Sequence, residues 1–417
     1  MVIAKVWTSM GAALVLGGCG PSVAGDGSGG SGSGGSDGDG SGHDTTAVVD
    51  DTGMGSSSGG AETAWCLRGQ EQPALDVSDT VLQITDADGD GRDEVWMGPN
   101  PFLMPVEGFA SRVRVYELSD GGTLERVAET TIDGHVYTTT DIDGDGVLDV
   151  IVRQLEQPEP WWQAGLGDLT VSPVQRPLAA PTAQAIGVDA DGDGLGDLLE
   201  LVQNEDGIGL SGARLHMGDG LGGTTPGDEL RLEGIDILDN IVIWPSPIPG
   251  QILVRFRELS LGASPSIFHA IAVDGAGAIS TLGASSLVEI GIRHVGDLDG
   301  DGIIDALGIA QDAHELLYLP SSESYGERIL ASDVAQLAAG PLVEATGIDL
   351  LSFDLDGAAV LRRPQGDDWP TALPVELEQG EWGTSTAPQP MQADGEGGME
   401  LLVRTNAYWL WQLEPCE

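Results

Sequence analysis

At 417 residues the chain is long enough to bury a sizeable core, either as one large repeat ring or as two or three ordinary domains. Aspartate and glutamate number 67 against 17 lysines and arginines, a formal charge of −50 that repels nucleic acid and anionic membrane faces and suits divalent cations. The 63 glycines and the scarcity of helical periodicity argue against a mainly helical protein and for a turn-rich β architecture.

Residues 1–18 read as an export signal. Lys5, the only lysine, supplies the positive start, and an apolar stretch runs from Met10 to Leu16. The stretch ends in Leu16-Gly17-Gly18-Cys19, which resembles the lipobox of bacterial lipoproteins. That resemblance implies cleavage before Cys19, a lipid on Cys19, and, with Gly20 rather than aspartate next, an outer-membrane destination. Multiple acyl chains anchor stably where one holds weakly. The membrane is therefore expected to be met through the lipid anchor alone. Residues 19–62 are rich in Gly, Ser and Asp and lack apolar side chains to bury, so a disordered tether is expected. Its ends would sit on the order of 36 Å apart as a random coil. Ser36 in a Gly-x-Ser-x-Gly spacing, and the Asp37/Asp39 pair, fall in this tract without flanking strands and carry no chemistry.

From residue 63 to 417 the sequence repeats. The clearest copies start at Asp86, Asp141, Asp189 and Asp297. Each sits between short β-branched or apolar stretches, such as "HVYTTT" before and "DVIVRQ" after, and so reads as strand, loop, strand. Eroded copies are read near residues 236, 354 ("SFDLDGAAVLRR") and 392 ("QADGEGGMELLV"). Seven starts over this length leave about 51 residues each, the amount a four-stranded propeller blade needs. The fold expected is all-β: a β-propeller of about seven four-stranded blades with calcium loops, preceded by the tether. The closing "AYWLWQLEPC" would be a third strand of the last blade, and the opening "AWCLRG" could supply its fourth. Cys66 and Cys416, the remaining pair in an exported protein, read as a disulfide clasping the two ends. Closing so long a loop restricts the unfolded chain by about 5 kcal/mol on the entropy model.

The chemistry lies in the four clear loops, where acids recur at positions 1, 3, 5 and 9 and glycine at 4 and 6. They offer Asp86, Asp88, Asp90 and Glu94; Asp141, Asp143, Asp145 and Asp149; Asp189, Asp191, Asp193 and Asp197; and Asp297, Asp299, Asp301 and Asp305. Position 7 adds a backbone carbonyl, from Arg92, Val147, Leu195 and Ile303 respectively. Glycines let the backbone curl until the carboxylates converge, and four of them in nine residues repel unless a cation sits among them. The oxygen-only set, without His or Cys, excludes zinc and copper and favours Ca2+ over the stricter octahedron of Mg2+. About four structural calcium sites are expected. An EF-hand would need an acid at position 12, where this chain has Met97, Val152, Glu200 and Gly308.

The loops and their flanking strands resemble the FG-GAP/VCBS repeats of integrin α-chain propellers and bacterial surface proteins. Lacking the Phe-Gly/Gly-Ala-Pro signature, the chain is nearer the bacterial VCBS type. "HMGDGLGGTTPG" (residues 216–227) resembles that family's outer hairpin. The resemblance implies that each loop joins adjacent strands of a blade and holds calcium through the residues just named.

Other candidates are weaker. His43, His135, His216, His269, His294 and His314 form no metal pair or catalytic set in sequence. Trp161-Trp162 is read in an inter-strand loop, as core packing rather than a sugar platform. No nucleophile, base or cofactor motif stands out, so binding is favoured over catalysis. The expectation is a monomeric disc at the cell surface that binds a glycan or protein, with no nucleic-acid partner. The alternatives are a calcium-stabilised polysaccharide-degrading enzyme and an envelope scaffold.

Overall fold

The computed structural model describes residues 64–76, 78–99, 110–153, 160–178, 185–203, 210–231, 238–245, 248–258, 266–287, 290–310, 313–323, 325–343, 348–363, 373–379, 388–394 and 398–416. The signal, Cys19, the tether and His43 lie outside them.

Among these residues β1 (Trp65–Glu71) comes first. Next come β2 (Thr80–Thr85), β3 (Glu94–Gly98), β4 (Ala110–Leu118) and β5 (Leu124–Asp133), then β6 (His135–Thr140), β7 (Asp149–Arg153), β8 (Trp161–Gly165) and β9 (Val171–Pro177). β10 (Ala185–Val188), β11 (Asp197–Gln203), β12 (Leu210–Gly218) and β13 (Thr224–Leu230) precede β14 (Leu238–Pro245), β15 (Gln251–Glu258), β16 (Ser266–Val273) and β17 (Ile279–Leu287). β18 (Ile290–Gly296), β19 (Asp305–Ala310), β20 (Glu315–Leu319) and β21 (Arg328–Ala331) are followed by β22 (Val334–Gly340), β23 (Asp349–Asp354), β24 (Ala359–Arg362) and β25 (Leu373–Gln379). β26 (Gln389–Met391), β27 (Glu400–Arg404) and β28 (Tyr408–Pro415) end the chain.

The pattern of side chains explains the layering. Second strands such as β3 (EVWMG) and β27 (ELLVR) are apolar in their interiors and buried on both faces, because a neighbouring sheet covers each side. Fourth strands such as β5 alternate towards solvent. Apolar clusters fill the spaces between successive runs of four strands. One, for example, joins Trp96, Val113 and Val115 to Val136, Val150 and Val152.

The hydrogen-bonded sheets number five among the described residues, not the expected seven or so. Three hold four strands (β2–β5, β6–β9 and β18–β21) and two hold eight. The larger ones arise because two runs of four share an edge. In one, β1 pairs parallel with β25; in the other, Leu210 pairs with Leu238. Apolar clusters nevertheless lie between the two halves of each large sheet: Leu215 with Val254, and Phe353 with Trp411.

The closure expected from the sequence is present. β1 pairs antiparallel with β28 from Trp65↔Pro415 to Glu71↔Trp409, and Cys66 is bonded to Cys416. The last run then packs on the first, with Met391, Leu402 and Leu410 against Ile84, Val95 and Met97.

Two repeat positions need correcting. The segment near 354 is not a strand-one-to-strand-two loop. It is the tight turn between β23 and β24, where Asp354 Oδ1 accepts from Asp356 N and Ala358 N at 2.9 and 2.8 Å. The segment read near 236 as flanking strands that have lost their loop holds, over Leu238–Pro245, one continuous strand, β14. Short turns capped by an aspartate look like loop remnants in sequence, because the same residue type serves both. Trp161 and Trp162 likewise lie in β8 rather than a loop, with Trp162 fully buried.

Candidate metal centres

Each of the four loops joins the first and second strands of a run of four, at the same end of the run. Their backbones are alike. The position-1 aspartate accepts from both glycines: Gly89 N and Gly91 N reach Asp86 at 2.7 and 3.0 Å, and Gly300 N and Gly302 N reach Asp297 at 2.7 and 3.0 Å. The same pairs bind Asp141 and Asp189. Every one of these glycines has positive φ, from 72° at Gly144 to 91° at Gly91. A Cβ on Gly89, Gly91, Gly300 or Gly302 would meet nothing within 4 Å. Backbone conformation therefore requires glycine there, not lack of space. At position 5 the carboxylate accepts from the position-7 N–H in all four loops, at 2.7 to 2.9 Å.

This curling gathers the acids. Asp86, Asp88, Asp90 and Glu94 lie within 4.8 Å of one another, as do Asp141, Asp143 and Asp149; Asp189, Asp191 and Asp197; and Asp297, Asp299 and Asp301. Asp145, Asp193 and Asp305 fall outside those groups. The donor set is oxygen only. One oxygen, Asp143 Oδ1, is buried with no hydrogen-bond partner among the described residues. Beside Asp141 and Asp145 it is held above the usual carboxylate range, first by burial and then by those neighbours. These features fit a hard cation such as calcium. The four loops differ in their surroundings. Arg176 stacks over Trp162 and lies 3.6 Å from Asp143, whereas the hydroxyls of Ser321 and Ser322 donate to Asp301 and Asp299 at 2.8 and 3.0 Å.

The position-9 acids have a second role that the sequence did not reveal. Glu94, Asp149, Asp197 and Asp305 are each no more than 1% exposed and accept the position-2 N–H, from Ala87, Ile142, Ala190 and Leu298, at 2.6 to 2.8 Å. Asp149, Asp197 and Asp305 also accept from the end of the third strand or just past it, at Gly165 N, Gly218 N and Ser321 N (2.7 to 2.8 Å). Each is a buckle tying its loop to the strands. Burial, the largest cause, pushes Glu94 up to about 8 and Asp149 and Asp197 up to about 7, against the opposing pull of the N–H donors. Glu400 buckles Ala393 N in the same way at 2.8 Å and is pushed up to about 7, although its loop begins with Gln392. The buckle thus exists where position 1 of the loop carries no acid.

A further relation links one loop to the next. The position-8 N–H donates to the position-1 carbonyl of the preceding loop: Gly196 to Asp141 at 2.5 Å, Asp93 to Gln392 at 2.6 Å and Met399 to Pro341 at 2.9 Å. This register puts Pro341 at position 1 of the corresponding connection in its run, with Asp349 at position 9 accepting from Val343 N at 2.9 Å. Where the preceding run has only a short turn, Gln251 Oε1 stands in and accepts from Ile304 N at 2.9 Å. A sequence scan for acids cannot find a backbone carbonyl, and "PLVEATGID" lacks acids at positions 1, 3 and 5.

Of the histidines, His135 and His216 are buried and His314 is exposed. His216 Nε2 lies 2.8 Å from Glu200 Oε2 within the sheet.

Four-stranded runs packed face to face, with first strands adjoining and the end strand completing the final run, define a β-propeller. No family model matches the chain, and no curated protein matches it. Solved structures similar to it include the Dos1 propeller (9% identity, 80% of this chain and 78% of that one, TM-score 0.48). Another is BBS1N in complex with ARL6DN (10%, 85% and 98%, TM-score 0.49), and a third is Saccharomyces cerevisiae Sqt1 (11%, 85% and 100%, TM-score 0.43).

Proposed function

We propose that this chain is a calcium-binding propeller of the FG-GAP/VCBS kind, exported, held at the outer membrane through a lipid on Cys19, and built to bind an extracellular glycan or protein. The observation that carries the calcium reading is the convergence of three or four carboxylates, with positive-φ glycines between them, at the same place in four separate runs. Calcium would be structural, neutralising acids that otherwise repel and stiffening the strand-joining loops. The position-1, -3 and -5 aspartates and the position-7 carbonyl would hold the ion. The position-9 acid would do so while also acting as buckle.

Thermal unfolding of the full chain tests the reading. Calcium should raise the melting temperature well beyond an ionic-strength control, and EDTA should remove the gain, because a ligand held only by the folded state stabilises it. An unchanged curve would sink the calcium assignment. Probing glycan and envelope-protein arrays in calcium and in EDTA then tests the binding role.

A further inference from the structure

The first strands of the runs line the propeller axis: β6 packs on β2 and on β10, and β22 packs on β18 and β26. Side chains stitch them, with Thr139 donating to Gln83 and Gly187 N to Thr138 Oγ1 at 3.0 Å. Five of these strands carry a bulge that leaves one residue unpaired, at Leu82, Tyr137, Asp239, Arg293 and Ala335. Three of them, Leu82, Tyr137 and Arg293, stand four residues before the first loop acids Asp86, Asp141 and Asp297, which puts them at one level. Bulges recur where a strand must re-aim a side chain.

Arg293 is the cation of this set. It is half-buried, and no hydrogen bond or ion pair joins it to any described residue. Burial draws it below its ordinary value, with no acid opposing the fall. In a chain with 67 acids and 17 basic residues, an arginine without a partner among the described residues is the reverse of what composition favours. A cation withdrawn from water without a counter-charge is costly. The next residue, His294, has a buried Nε2 that likewise has no partner among the described residues, and burial pushes the ring down to about 4, so it is neutral at physiological pH.

We propose that Arg293 anchors a carboxylate-binding site on the propeller axis, with His294 beside it. A guanidinium fork matches a carboxylate in geometry and in charge. A dianion such as sulfate would bring a second negative charge into an already acidic molecule. The ligand class is therefore a carboxylate-bearing molecule, such as an acidic sugar. This deepens the binding-module reading and rests on it, but not on the calcium sites.

The experiment titrates the calcium-saturated full chain with sodium D-glucuronate, sodium sulfate and sodium chloride at equal ionic strength, by calorimetry and thermal unfolding. D-glucuronate should bind saturably and raise the melting temperature, whereas sulfate and chloride should do neither. R293Q should bind at least about tenfold more weakly and R293K in between, because lysine keeps the charge but loses the fork. In chloride alone R293Q should melt at or above wild type, since no internal partner is lost. Equal binding by R293Q, sulfate binding as well as D-glucuronate, or no saturation in the wild type would overturn the site. So would a marked fall in the melting temperature of R293Q in chloride, which would mean that Arg293 has a partner within the fold. None of these results would touch the calcium reading, which the EDTA experiment tests separately.

Discussion

The side chain of Gln251 accepts a hydrogen bond from Ile304 N at 2.9 Å and donates one to Gly302 O at 2.9 Å, filling the place that a backbone carbonyl takes elsewhere in the ring. It ties the Asp297–Asp305 loop to a run that has no acidic loop of its own. Gln251→Ala should cost about 1 to 2 kcal/mol by denaturant unfolding. If the loop is a calcium site, it should also weaken calcium binding there and leave the other three loops alone. A stability equal to wild type would show that the bridge is dispensable.

Asp149 and Asp141 separate two roles. Asp149→Ala leaves the buried N–H groups of Ile142 and Gly165 unpaired, and should cost about 2 to 4 kcal/mol in calcium and EDTA alike. Asp141→Ala removes an exposed turn acceptor, and its cost should fall mainly on the calcium-dependent part of the stability. Glu400→Ala, in a loop whose position 1 is Gln392 rather than aspartate, should behave like Asp149→Ala. Melting curves of the three variants with and without calcium decide this.

The buried acids make the metal-free protein sensitive to pH in an uncommon direction. Glu94, Asp149, Asp197 and Glu400 are raised from ordinary values of 4.5 or 3.8 to about 7 or 8 when folded. Folding therefore takes up protons between those limits. The stability they contribute is fully present below their unfolded values and is lost as pH rises through 7 to 8. In EDTA the melting temperature should fall between about pH 5 and about pH 8.5. Calcium, by favouring the charged forms, should flatten the decline. A rise with pH in EDTA would contradict it.

The Cys66–Cys416 bond spans 350 residues and fastens β1 beside β28. Its loss should cost about 2 to 5 kcal/mol. The double Cys→Ser variant should fold but open first along β1, which hydrogen exchange at Leu67 and Gly69 would report. Uniform exchange across the sheet would argue that the β1–β28 ladder alone holds the closure.

Gly196 approaches the preceding loop so closely that a Cβ would lie 2.5 Å from Asp141 O. Gly196→Ala should cost about 1 to 3 kcal/mol through displacement of the adjoining loop. A neutral effect would mean that the two loops can separate freely.

Much was legible in the chain itself. Alternation of apolar stretches with Asp-x-Asp-Gly-Asp-Gly loops is a local pattern, so the strands around Asp86, Asp141, Asp189 and Asp297, and the all-β class, follow from neighbours in sequence. The ends, Trp65–Glu71 and Tyr408–Pro415, declared themselves as one sheet because each was an apolar strand carrying a cysteine without another partner. Long-range relations were not legible. That Glu94 or Asp149 is a buried buckle depends on which sheets cover it. That Pro341 holds the position-1 place of its run depends on its carbonyl, which leaves no mark on residue type. The five-sheet hydrogen bonding turns on a single pair, Leu210 with Leu238, and on the parallel seam of β1 with β25. Sequence determined the strands, the loops and their oxygen chemistry, because those depend on residues a few positions apart. Only the tertiary structure decided which carboxylates are buried, which carbonyls join the loops and that Arg293 has no partner among the described residues, because burial and pairing arise from segments that meet only when the ring closes.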